Sequence, residues 1–169
     1  MRIYNAMLPD VPAIHDVIAY YSQDGTLLAR DVAELSENIR DFLVAEEDGV
    51  FLGCGALHLY GTHLAEVRSI AVWPQCKGMG AGRRLLEGLL AEARQHGVNC
   101  VCMFTRLPDF FAHMGFRPVE KTELPDKIYK DCVNCPRLEN CDEVAMYRGK
   151  LPGFAILPRP EKGLENFPI

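Results

Sequence analysis

A chain of 169 residues with 49% apolar content suits one domain with a real core and at most a small appendage. Its formal net charge of −5 excludes a general nucleic-acid or membrane-surface binder, so an anionic ligand would have to be held by a local cluster of cations. No stretch approaches the ~20 apolar residues of a membrane span. The opening MRIYNAMLPDVP has no apolar leader run, and seven cysteines, an odd number, do not read as a secreted disulfide framework; a reducing cytoplasm is the expected compartment.

In chain order, MRIYNAML reads as a first strand. Asp10 stands where a cap belongs for a helix whose apolar positions Ile14, Val17, Ile18 and Tyr21 follow the i, i+3, i+4, i+7 pattern. SQDGTLLAR is a loop, and a second helix from Asp31 to Asp41 carries Val32, Leu35 and Ile39 on one side. FLVAEE, the DG pair at 48–49 and VFLGCGALHLY predict strand, tight turn and strand, with Gly53 and Gly55 marking a bend or a close backbone approach. LAEVRSIAVW is the fourth strand, and it runs into a glycine-rich loop and a third helix. That helix buries Leu85, Leu86, Leu89, Leu90 and Ala93 and ends at Gly97. VNCVCMF is a fifth strand, so strands four and five should be parallel, joined by a right-handed crossover. PDFFAHMG predicts a short helix, FRPVEK a sixth strand and DEVAMYRGK a last one. The tail from Leu151, with Pro152, Pro158, Pro160 and Pro168, is expected to be extended, either docked or loose.

The loop between the fourth strand and the third helix carries the clearest chemical signal. Gln75, Gly78 and Gly80 fit Q-x-x-G-x-G, followed by Ala81 and Gly82. Missing Cβ atoms let successive N–H groups converge on an anion, and the helix N-terminus adds partial positive charge. Lys77, Arg83 and Arg84 bring cations to the same turn. No G-K-[ST] follows, and the loop does not open a first βαβ unit as G-x-G-x-x-G, so neither a Walker loop nor a dinucleotide fingerprint is present. A ligand-free strand-to-helix turn is the alternative, which the basic residues disfavour.

IAVWPQCKGMGAGRRLL resembles the acetyl-CoA-binding segment of the GNAT N-acetyltransferases, and FFAHMGF at 110–116 is similar to that family's later F-Y-x-x-x-G-F element. The resemblance covers roughly residues 1–120 and the final strand. It implies an α/β (α+β) GNAT fold: a mixed, mostly antiparallel sheet, helices on both faces, and parallel strands four and five splayed at the acetyl-CoA site. It implies that backbone amides of Cys76, Lys77, Gly78, Met79, Gly80 and Ala81, with Gln75 and Arg83 beside them, hold the pyrophosphate. Pantetheine would lie along the backbone of Ile70, Ala71 and Val72. ELPDKIYKDCVNCPRLENCDEVAM, residues 123–146, resembles the C-terminal signature of short, stand-alone bacterial N-acetylglutamate synthases. The implied reaction is direct acetyl transfer from acetyl-CoA to the α-amino group of L-glutamate, the first step of arginine biosynthesis. The alternatives are a GNAT enzyme for another small amine or amino acid, such as glutamine, and a non-catalytic acyl-CoA sensor. The expected partner is a small amino-acid substrate, with no nucleic acid and no membrane; a homodimer is the candidate assembly. The domain would span 1–150, with a cysteine-containing insertion at about 123–142 and a tail at 151–169.

An amine attacks a thioester only as the free base, so a general base is useful. Glu66 is the candidate, on the fourth strand shortly before the loop, where GNAT enzymes often place a carboxylate; a solvated residue or a partner for Arg68 is the alternative. The resemblance assigns the oxyanion donors to the strand backbone at Ile70 or Val72. The position of the family's acid tyrosine is Phe111, which cannot donate a proton, so the thiolate leaves unaided or Tyr129 or Thr105 serves. Arg68, Arg106 and Lys127 are candidates to bind the substrate's carboxylates, with a surface charge as the plain alternative for each. Cys132, Cys135 and Cys141 form C-x2-C-x5-C, which suits zinc only with a fourth ligand from Asp142, Glu143, His63 or His113; packed thiols or a Cys132–Cys135 redox pair are the alternatives, and metal binding stays open. Cys54, Cys100 and Cys102 read as small core residues, and Cys76 as a loop thiol open to reagents. Phe110, Phe116 and Trp73 read as core.

Overall fold

The computed structural model describes residues 1–164. Its strands are β1 (Arg2–Asn5), β2 (Phe42–Glu47), β3 (Val50–Gly61), β4 (Leu64–Val72), β5 (Cys100–Thr105), β6 (Arg117–Pro118) and β7 (Val144–Gly149). Its α-helices are α1 (Val11–Ser22), α2 (Val32–Glu37), α3 (Ala81–Gln95), α4 (Pro108–Ala112) and α5 (Pro125–Lys130). Hydrogen bonding orders the strands β1-β2-β3-β4-β5-β7-β6. The β1–β2, β2–β3, β5–β7 and β6–β7 pairs are antiparallel and β4–β5 is parallel, as the βαβ crossover requires. The parallel ladder runs over two pairs, Ala65 with Val101 and Glu66 with Cys102. Two compact units share the chain, one of Met1–His58 with Val67–Gln95, the other of Leu59–Glu66 with the residues from His96 onward. No helix of the described residues is long and apolar enough to cross a membrane.

In the first unit, the two-residue period of the strands sorts side chains to opposite faces. Phe42 and Val44 of β2, with Cys54, Ala56 and Ala71, pack against Val11, Ile14, Val17 and Ile18 of α1 and Leu35. Leu43, between them in sequence, meets α3 on the other side: a Cβ on Gly88 would lie 2.9 Å from the Leu43 Cδ1. Gly55 makes the matching space for Leu89, whose Cδ1 would be 3.1 Å from a Cβ there. Helices therefore cover both faces, and the two glycines set how closely α3 approaches β2 and β3. The DG turn joins β2 to β3 with Asp48 and Gly49 both at positive φ (50° and 77°), the backbone that matches hairpin twist.

Three local expectations for this unit need correction. Asp10 does not cap α1 with its side chain; it closes a 3-10 turn, accepting from the Met7 N–H at 2.8 Å and the Tyr4 hydroxyl at 3.1 Å. The second helix stops at Glu37, because the backbone and side-chain N–H groups of Asn38 both turn back to the Glu34 carbonyl; residues 39–41 form a separate 3-10 turn. Its N-terminus is capped by Asp31, which accepts from the Glu34 N–H at 2.7 Å. Val32, expected on the apolar side, is 52% exposed.

Among the described residues of the second unit, apolar side chains gather in two small clusters. Leu64, Cys100, Cys102, Leu124 and Ala145 form one, with Tyr60, Phe104, Val119, Tyr147 and Leu151 around it. Ile128, Cys132 and Leu164 form the other, with Phe104, Tyr129, Val133 and Leu138. The sixth strand is shorter than FRPVEK predicts, because Pro118 has no N–H for the ladder; one further bond, Val119 N–H to the Ala145 carbonyl at 2.9 Å, follows it. α5 is a six-residue helix opening on Pro125, too short for its apolar period to stand out in the sequence. Its Asp126 is fully buried and accepts the N–H groups of Ile156 (3.0 Å) and Leu157 (2.8 Å), so the tail is docked at that point. Pro168 lies outside the described residues.

Candidate active site

The later residues of β4 lead into the glycine-rich loop. Val72, at the end of β4, has its carbonyl taken by the Tyr21 hydroxyl at 2.7 Å, so a residue that reads as part of a helix's apolar stripe fixes the strand's exit. Trp73 N–H bonds the Leu52 carbonyl at 2.9 Å, and a 3-10 turn over Pro74–Cys76 follows. Ser69, inside the strand, stands at φ 52°, which breaks the regular alternation between Arg68 and Ile70. The loop then uses two left-handed glycines, Gly78 (φ 86°) and Gly80 (φ 85°), to reach the start of α3 at Ala81. The N–H groups of Cys76, Lys77 and Met79 already donate to the carbonyls of Trp73, Pro74 and Cys76. Helix geometry leaves the first-turn N–H groups of α3, from Ala81 on, without intrahelical acceptors. Gln75, Lys77, Met79, Arg83 and Arg84 are exposed, and the Lys77 ammonium lies 5.3 Å from the Tyr21 ring centroid. Cys76 is buried, against the expectation of a reagent-accessible thiol. An exposed N-terminus with three cations and two bare glycines suits a phosphate group by the chemistry of its donors.

The second unit holds the titratable cluster. Glu66, at 3% exposure, is among the most buried charged residues. Its Oε1 lies 2.8 Å from the Lys127 ammonium and its Oε2 3.1 Å from the Tyr60 hydroxyl. Asp131 Oδ2 receives the same two groups, Tyr60 at 2.8 Å and Lys127 at 3.1 Å. Lys127 and Asp131 stand four residues apart at the end of α5, a spacing that puts both on one side of the turn. Tyr60 comes from the end of β3. A buried carboxylate needs this company, since desolvation without a cation or donors would cost several kcal/mol. The Lys127 ammonium also lies 5.6 Å from the Phe104 ring centroid. Glu143 sits where burial pushes its carboxyl above the usual range, opposed by the charges of Lys127 and Arg137.

The structure thus brings two of the expected residues, Glu66 and Lys127, into direct contact. Lys127, from 61 positions further along, reaches the Glu66 carboxylate at 2.8 Å. Arg106 is held at the surface by Asp142, with Nε and Nη2 at 2.9 and 2.8 Å from one carboxylate oxygen; this guanidinium holds the Asp142 carboxyl below its ordinary value. Tyr60 and Asp131 escape sequence reasoning, because no spacing links a β3 tyrosine to a residue 71 positions later. Phe111 is buried, edge-on to Phe110 and Phe116, and Thr105 accepts from the Leu107 N–H at 2.9 Å. Phe116 is core, whereas Phe110 is 42% exposed.

All seven cysteines are free thiols, and among the described residues no three His, Cys, Asp or Glu side chains gather around a common point fit for a metal. Cys54, Cys100 and Cys102 are buried as expected. Burial pushes the Cys132 thiol up to about 12, against the pull of Lys127. Cys141 receives the Lys121 ammonium at 3.0 Å.

Comparison with known proteins gives a consistent picture. The model of the acetyltransferase (GNAT) family matches residues 2–116. An uncharacterized N-acetyltransferase of Chlorobaculum tepidum is 41% identical over 86% of this chain and 94% of its own. An amino-acid acetyltransferase of Mycobacterium tuberculosis is 33% identical over 76% of this chain and 75% of its own. Among solved structures, N-acetylglutamate synthase from Neisseria gonorrhoeae, complexed with coenzyme A and N-acetyl-glutamate, superimposes with a TM-score of 0.80 at 29% identity. That match covers 88% of this chain and 34% of the larger protein.

Proposed function

The chain belongs to the GNAT acetyltransferase family, and from that premise we propose that it moves an acetyl group from acetyl-CoA to the α-amino group of an amino acid, L-glutamate first among them. The observation that carries the reading is the buried Glu66, paired with Lys127, on the same strand whose later residues lead into the phosphate-binding loop. The names of the relatives support it: an amino-acid acetyltransferase is 33% identical to the chain over 132 residues, and the gonococcal synthase was solved with N-acetyl-glutamate. The catalytic domain is taken as residues 1–150, and the place of the reaction as the opening of arginine biosynthesis in the cytoplasm.

Acetyl-CoA supplies the activated acyl group as a thioester. Gly78, Gly80, Ala81 and the following turn of α3 offer the amides for its pyrophosphate, with Lys77, Arg83 and Gln75 at the rim. Ile70, Ala71 and Val72 offer backbone groups to the pantetheine arm. An α-amino group, with a pKa near 8 or above, is roughly a tenth neutral or less at pH 7, so Glu66 gains the enzyme rate by taking the ammonium proton. The N–H of Ile70 or Val72 donates to the carbonyl oxygen as it gains charge. The departing thiol has a pKa near 8.5 and leaves as thiolate without an acid at Phe111. Lys127 and Arg68 receive the substrate's carboxylates; at Arg106 an incoming carboxylate would replace Asp142.

The test is release of free thiol from acetyl-CoA with a panel of amino acids. The reading predicts the highest kcat/KM with L-glutamate. A preference for glutamine or another amine would retain the acetyltransferase and reject glutamate, and turnover of no amine despite binding of acetyl-CoA would favour a sensor.

A further inference from the structure

Four groups in the second unit close a ring: Glu66 Oε1 to Lys127 Nζ (2.8 Å), Lys127 Nζ to Asp131 Oδ2 (3.1 Å), Asp131 Oδ2 to the Tyr60 hydroxyl (2.8 Å), and that hydroxyl to Glu66 Oε2 (3.1 Å). The Tyr60 hydroxyl has one proton and stands between two carboxylates, so it donates to one of them at a time. The two ends of the bridge differ in exposure: the Glu66 side chain is 4% exposed, whereas that of Asp131 is 27% exposed. Lys130, whose ammonium is 5.7 Å from the Tyr60 ring centroid, and Glu143, which feels the charges of both Lys127 and Glu66, also face the ring. The Cys132 thiol, held up by burial, also feels the charges of Lys127, Glu66 and Asp131.

A buried base that takes a proton in every turnover must return it to water. Lys127, as an ammonium, has no lone pair with which to accept one. We propose that Tyr60 and Asp131 form the proton exit of Glu66. The protonated Glu66 carboxyl gives its proton to the Tyr60 oxygen while the Tyr60 hydroxyl proton passes to Asp131 Oδ2, and Asp131 releases it to solvent. One O–H bond breaks and one forms at each transfer, so Tyr60 ends neutral, Glu66 ends as carboxylate, and no co-reactant is consumed. Tyr60 acts through Glu66 and is therefore a positioning residue. The proposal rests on Glu66 being the base.

The experiment replaces Tyr60 by Phe and measures kcat in dilute, poorly proton-carrying buffer and then with imidazole added as a mobile proton carrier. The relay predicts that Tyr60→Phe lowers kcat by about tenfold or more, that KM for the amine stays near the parental value, and that imidazole restores most of the loss. Parental kcat in dilute buffer would overturn the relay. A loss that imidazole leaves untouched would also overturn it, in favour of a purely structural contact. Should Tyr60→Phe fail to fold, Asp131→Asn carries the same test: the same fall and the same rescue are expected, and parental turnover or an unrescued fall overturns the proposal. Glu66→Gln separates this from the reading beneath it. Parental turnover in that variant rejects Glu66 as base, whereas an inactive Glu66→Gln beside a fully active Tyr60→Phe rejects the relay alone.

Discussion

Glu66 shows what a single buried carboxylate requires. At 3% exposure it persists because an ammonium and a phenol satisfy both of its oxygens. If Glu66 is the base proposed above, Glu66→Gln keeps the shape and removes the proton acceptor, so turnover measured by thiol release should fall about 10²–10⁴-fold, with acetyl-CoA binding by calorimetry little changed. The candidacy of Glu66 and Lys127 is legible in the sequence, from strand position and from the LPDKIYKDC stretch. Their pairing is not, since it depends on where α5 docks, and neither are Tyr60 and Asp131. The thiols make a second prediction at this scale. At pH 8 the Cys132 thiol, pushed up to about 12 by burial, is almost wholly protonated, while the half-buried Cys135 is better exposed. Alkylation followed by peptide mass analysis should label Cys135 well before Cys132. As the pH rises toward 12 the Cys132 thiolate fraction grows, and the gap between the two should narrow.

Among the elements, the loop into α3 and the helix itself were the most readable, because glycines, cations and a clean apolar stripe are all local signals. Leu85, Leu86, Leu89, Leu90 and Ala93 are buried, and Gly97 at φ 68° follows the helix end. The apolar period runs past the observed end of α2, because it cannot reveal that Asn38 folds back onto Glu34. A Cβ at Gly78 would meet nothing within 4 Å, yet its φ of 86° disfavours an L side chain. Gly78→Ala should therefore cost ~1–2 kcal/mol of loop strain and weaken coenzyme A in a calorimetric titration more than it lowers thermal stability. At α2, Asp31→Ala removes the acceptor of the Glu34 N–H; it should lower unfolding free energy in urea by ~0.5–2 kcal/mol and leave turnover near parental.

At the scale of the molecule, the parallel β4–β5 ladder follows from one βαβ crossover, which is visible in the spacing of the elements, whereas the place of β7 between β5 and β6 is not. Nor is the docking of the tail, because it depends on a buried side chain meeting two amides 30 and 31 residues away. Asp126 also lies 2.6 Å from His63 Nε2. Asp126→Ala would leave these donors without their acceptor, so it should destabilise the protein by ~3–5 kcal/mol, seen as a lower urea midpoint. For the whole molecule the proposal is direct transfer: the acetyl group passes from acetyl-CoA to an amino acid's α-nitrogen with no acyl-enzyme, and free coenzyme A leaves. The most direct test is to supply acetyl-CoA labelled with ¹³C in the acetyl group together with L-glutamate, and to follow the label by NMR. The account predicts that labelled amide on the glutamate α-nitrogen grows one-for-one with free thiol. Label that stays on the thioester, or that settles on the protein, would contradict it.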